Sequence, residues 1–109
     1  MDLVAGIYVV SGKFPKSEIY GLTSQLRRAA VSVPSNIAEG YGRSGRREFA
    51  HALSIALGSL AEVETQILIA ERLGYLAVDS RVTLMELSTQ TGRIIVGLMN
   101  SMEHHAKAS

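Results

Sequence analysis

Cysteine is absent from the 109 residues. That excludes disulfide frameworks and thiolate metal sites, and it is compatible with a reducing compartment. Proline occurs only at Pro15 and Pro34. A charge excess is missing as well: 11 Lys and Arg stand against 10 Asp and Glu, for a net charge of +1. Any basic surface for nucleic acid must therefore come from local clustering. No uninterrupted apolar run approaches the roughly 20 residues of a membrane span. The apolar stretch from Leu3 to Val10 follows Asp2 and lacks a basic flank, unlike a signal peptide. With 47% apolar and 19% charged residues, the composition is that of a globular chain. The expectation is one cytoplasmic domain spanning residues 1–109.

What is present has a helical period. Ile19, Leu22, Leu26, Ala29, Ala30, Val33 and Ile37 recur at steps of three and four, with Arg28, Ser32, Ser35 and Glu39 opposite them. Pro34 lies inside this stripe and predicts a kink rather than a stop. Phe49, Leu53, Ala56, Leu60, Val63, Ile67 and Ala70 form a heptad seam, and Ala50, Leu57, Ala61 and Leu68 form a second apolar row beside it. That pattern predicts a helix from about Gly45 to Leu73, capped by Ser44 and followed by Gly74. A last helix starts near Asp79, its expected N-cap, with Leu84, Leu87, Thr91, Ile94, Ile95, Leu98 and Met102 as its buried face and Glu86, Gln90, Arg93 and Asn100 opposite. The first helix runs from Asp2 to about Ser11. The predicted fold is all-α, an antiparallel up-down four-helix bundle whose helix 1 is short or truncated. A helix of about 15 Å cannot cover partners of about 35–40 Å. The uncovered apolar surface points to an oligomer or to missing upstream residues.

Gly40, Gly42 and Gly45 spell G-x-G-x-x-G. A dinucleotide fingerprint needs a strand before it, but a helix precedes this one. The glycines read instead as a helix–helix connection, with Gly40 and Gly42 leaving helix 2 at positive φ and Gly45 opening helix 3. Arg43, Arg46 and Arg47 crowd this connection. Cations at a helix N-terminus are unfavourable unless an anion is near, and a phosphate backbone supplies one. The competing reading is a solvated basic loop with Glu48 as its counter-ion. Arg27 and Arg28 are weaker candidates for the same contact. Glu48 and His51 make one Glu-x-x-His, where a di-iron bundle needs two, and His104 and His105 fall in a tail, so no metal or cofactor is expected. Glu64 falls between the two apolar rows of helix 3 and needs a partner, for which Arg27 is the first candidate; Glu62, Asn36 and Glu39 would join a structural polar network with Arg28. No nucleophile–base pair is visible, so the chain does not read as an enzyme.

The segments YGLTSQLRRAAVSVPSNIAEGYGR (20–43) and FAHALSIALGSLAEVETQILIAERLGYL (49–76) resemble the 23S rRNA intervening-sequence proteins. Arg27-Arg28-Ala29, the run from Ser32 to Gly40, and Gly58-Ser59-Leu60 with Glu62 carry the resemblance. It implies a four-helix bundle assembled as a homopentamer, and a relation to the accessory proteins of diversity-generating retroelements, which bind nucleic acid beside a reverse transcriptase. Those relatives begin with an extra stretch containing an aromatic residue, so Met1 falls where the middle of helix 1 is expected. Two functions follow: binding of structured RNA or another nucleic acid through the basic connection, or a scaffold or adaptor for a protein partner without nucleic acid.

Overall fold

The structure, a computed structural model, describes residues 2–42 and 45–108, with side chains through Met102. Four α-helices make an all-α bundle: α1 (Asp2–Ser11), α2 (Leu22–Gly42), α3 (Arg46–Arg72) and α4 (Val78–Ala108). A short 3₁₀ turn, Lys16–Glu18, lies between α1 and α2. α3 is the central element, because its heptad seam packs from both sides. Leu53, Ala56, Leu60, Val63, Ile67 and Ala70 are all buried, facing Leu26, Ala30 and Val33 of α2 and Leu84 and Ile95 of α4. Ser32 bonds Ser59 at 2.9 Å, and further along the pair Gly40 meets Ala52. Contacts thus climb α2 as they descend α3, so the two run in opposite directions. Leu60 against Gly92 and Glu64 against Ser88 show the same for α3 and α4.

Each boundary has a local cause. Gly74, at φ 81°, ends α3 in a Schellman turn: Tyr75 N–H donates to the Ala70 carbonyl at 2.9 Å, and Gly74 N–H to that of Glu71 at 3.0 Å. Asp79 lies within the first turn of α4, so it acts on the helix dipole rather than as the N-cap. Across the same turn Arg81 pairs with Glu71 at 2.9 Å. Glu18 Oε1 accepts the Leu22 N–H at the start of α2, while its Oε2 accepts the Tyr75 hydroxyl at 3.1 Å. One carboxylate therefore caps α2 and ties it to the α3–α4 turn, where the Tyr75 ring also meets Phe14 at 5.8 Å.

This tie gives a pH prediction. The hydrogen bond to Glu18, then desolvation and the carboxylate charge, raise the Tyr75 pKa above its ordinary 10.0. A raised folded-state value means that the contact stabilises fully below the unfolded pKa and is lost as pH climbs through the folded one. Glu18→Gln should lower the latest-ionising tyrosine in an ultraviolet titration. An unchanged titration would show that the bond does not form in solution.

Three expectations need correction. Gly40 and Gly42 are helical, and among the described residues only Gly45 and Gly74 have positive φ. Gly40 instead lets α2 approach α3: a Cβ there would collide with Ala52 Cβ and lie 3.3 Å from Phe49 Cδ1. Ile19 precedes α2 and is exposed, so the stripe begins at the half-buried Leu22 and is buried from Leu26 on. On α4, Ile94 is 64% exposed and Leu98 is also exposed, while the unforeseen Ser88 is fully buried. As expected, no unbroken apolar run of membrane-spanning length occurs, although α3 is long and apolar enough by length and composition to cross a membrane, with a mean hydropathy of 1.4 over its most apolar window. The bundle seam accounts for part of that apolarity. Pro34 sits inside α2 without ending it, and Ser44 lies outside the described residues.

Candidate nucleic-acid interface

α3 opens abruptly. Gly45, at φ 113°, occupies the N-cap, so the N-cap residue itself supplies no side-chain bond to the first-turn N–H groups. Arg46, Arg47 and Glu48 follow, all exposed. Neither Arg46 nor Arg47 makes an ion pair with a described residue. Their settings differ. Arg46 borders a recess of about 330 Å³ with Tyr41, Phe49 and Met102. Arg47 borders one of about 520 Å³ on the other side of the α2–α3 hairpin, with Asn36, Glu39, Glu48 and His51. Arg43 lies outside the described residues.

Tyr41 was not foreseen as part of this end. It is 79% exposed and packs edge-on to Phe49, with centroids 5.9 Å apart. Its outer face is free to stack, and bases stack on aromatic rings regardless of sequence. The signal was present in the run Gly40-Tyr41-Gly42-Arg43, where an aromatic residue adjoins the arginines.

Arg27 and Arg28 belong to a different place. They lie about 20 Å along α2 from its C-terminal end. Arg27 Nε donates to Ser11 Oγ at 2.8 Å, its Nη2 approaches the Tyr8 carbonyl at 3.4 Å, and the guanidinium sits 4.6 Å from the Tyr8 ring centroid. Arg27 is thus the clasp that holds α1 on α2, not the partner of Glu64. Glu64 instead accepts a hydrogen bond from the buried Ser88 hydroxyl on α4. Arg28 is exposed on a groove shared with Tyr8, Ile19 and Val31.

The proposed polar network divides accordingly. Asn36 Nδ2 donates to the Ser32 carbonyl at 2.7 Å and to its hydroxyl at 2.9 Å, and Ser32 bonds Ser59, so this branch pins α2 to α3. Glu62 accepts from Gln66 at 3.4 Å, one turn away on α3. Glu39 borders the Arg47 recess. Among the described residues no three His, Asp or Glu side chains are grouped to hold a metal.

These features define a small four-helix bundle with a cationic, aromatic end at the start of its central helix. The chain belongs to the 23S rRNA-intervening sequence protein family, whose model matches residues 1–97. Its fold is similar to that of a protein of unknown function from the S23 ribosomal protein family of Bacteroides thetaiotaomicron VPI-5482. The TM-score is 0.79 at 20% identity, over 89% of this chain and 90% of that one. No curated protein matches the chain.

Proposed function

We propose that this chain is a non-enzymatic, cytoplasmic, self-assembling bundle that binds nucleic acid, structured RNA in particular, through phosphate contacts at the start of α3. The observation that carries this reading is the pair of exposed arginines, Arg46 and Arg47, without ion-pair partners among the described residues, in a first helical turn beside exposed Tyr41. Arg43 adds a third cation to the same segment of the chain. A fixed anion would offset the cation–dipole repulsion there. Self-assembly into the homopentamer implied by the family resemblance would present several copies of a weak site, and avidity would multiply it. Extensive exposed aliphatic surface, including Leu68, Ile69, Ile94 and Val96, is consistent with that assembly.

Affinity for a folded RNA should fall steeply between about 50 and 200 mM salt, and Arg46→Ala/Arg47→Ala should reduce the log–log slope by nearly one for each phosphate that the variant no longer engages. Filter binding measures both. Equal affinity and slope for the two proteins would remove this end of the bundle as the site. A parent that binds no RNA at low salt would remove the function.

A further inference from the structure

Arg46 and Arg47 are neighbours in the chain but open on different chemistry. The recess beside Arg46 has no acidic side chain among its described lining residues, which suits a phosphate. The recess beside Arg47, of about 520 Å³, is walled by α2 and α3 alone, and Glu48 and Glu39 border it. A phosphate brought to Arg47 there approaches carboxylates of its own sign. A neutral group that offers donors and acceptors together does not meet that repulsion.

The recess is furnished for such a group. Asn36 commits both N–H bonds of its amide to Ser32, at 2.7 Å to the carbonyl and 2.9 Å to the hydroxyl, which fixes the amide and leaves Oδ1 as an acceptor. Glu48, when ionised, only accepts, and Arg47 only donates, through a planar fork. Both are exposed, as is His51. His51 lies one turn beyond Arg47 on α3 and brings an aromatic ring. Ile55, 42% exposed, lies one turn further and adds an apolar surface to the same wall. Among the bases, guanine matches this set. Its N1–H and N2 amino group are adjacent donors, and its O6 and N7 are the acceptor pair that an arginine fork fits. A guanine paired with cytosine has already given up its N1–H and N2 donors, so only an unpaired one presents both edges.

We infer that this recess binds an unpaired guanine of the RNA, with Glu48 and Asn36 Oδ1 accepting from N1 and N2, Arg47 donating to O6 and N7, and the ring against His51. The inference rests on the nucleic-acid reading and narrows it: Arg46 keeps a phosphate contact, and Arg47 adds a base preference to it.

The probe is an RNA hairpin with a uridine loop in which one position is guanosine, compared with hairpins that carry adenosine or inosine there. In filter binding the parent should prefer guanosine to adenosine about tenfold or more. Inosine lacks the N2 amino group and should fall between them. Glu48→Gln separates recognition from bulk charge. Loss of a negative charge beside RNA should leave or raise the affinity for the adenosine hairpin, whereas the preference for guanosine should shrink several-fold. His51→Ala, at another exposed position, should weaken the guanosine hairpin about fivefold or more and the adenosine hairpin little, and it repeats the test if Glu48→Gln does not fold by circular dichroism. Two outcomes would overturn the inference and leave phosphate binding in place: equal, salt-sensitive affinity of the parent for the guanosine and adenosine hairpins, or a guanosine preference that neither variant changes. A parent that binds none of the hairpins at low salt would remove the function and the inference together.

Discussion

Gly40→Ala should destabilise the bundle by about 1–3 kcal/mol, while Gly42→Ala, two residues on in the same turn, should stabilise it by up to about 1 kcal/mol. Both glycines are helical, so propensity alone favours alanine at each. Space decides the sign. A Cβ at Gly42 meets nothing within 4 Å, whereas one at Gly40 strikes Ala52 and crowds Phe49. Relief would require α2 and α3 to separate at this contact, and packed interiors yield poorly to such displacement. The effect reaches the proposed site, because the same crossing orients Phe49, against which Tyr41 packs, beside Arg46. Gly40→Ala should therefore weaken RNA binding as well as lower the midpoint of urea unfolding. If both variants raise the midpoint alike, the close approach is wrong.

The contrast between these glycines shows what a sequence conveys and what it withholds. The α3 seam was legible because apolar side chains at steps of three and four can face only one way on a helix, and all but Phe49 of the seven seam residues are buried, Phe49 being half-buried. Gly74 was legible because a helix exit at positive φ has few alternatives to glycine. Gly40 was not, because a glycine near a helix end serves equally as an exit or as a point of close contact, and only the facing residue distinguishes them. Ser88 had no signal of its own: a small polar residue is buried only if something across the core bonds it, and its partner Glu64 lies 24 positions away. Periodicity misassigned Ile94 because it reports which face is apolar and not whether a neighbour covers it. Of the site, the arginine cluster was visible as composition. Its division was not: Arg46 beside Tyr41, Arg47 over a polar recess, and Arg27 spent on Tyr8 and Ser11 all follow from helix packing.

Ile67 and Leu68 offer the sharpest separation of core from interface, since both are aliphatic neighbours on α3. Ile67 is fully buried on the seam, whereas Leu68, on the second row, is 47% exposed. Ile67→Ala removes three methyl or methylene carbons from a packed core and should cost about 2–5 kcal/mol, at every protein concentration. Leu68→Lys removes nothing from that core. If the second row is the contact between copies, a lysine there places a charge into an apolar interface that has no partner for it. The parent should scatter light as about five chains of 11.7 kDa, the number implied by the family resemblance, and the variant as a smaller species with the same helical content. Because assembly stabilises by mass action, any loss of melting temperature in Leu68→Lys should shrink as both proteins are diluted, while that of Ile67→Ala should persist. A monomeric parent at micromolar concentration would end the assembly claim. An assembled parent whose mass Leu68→Lys leaves unchanged would move the interface to other exposed aliphatics, with Ile94 and Val96 of α4 next to be tested.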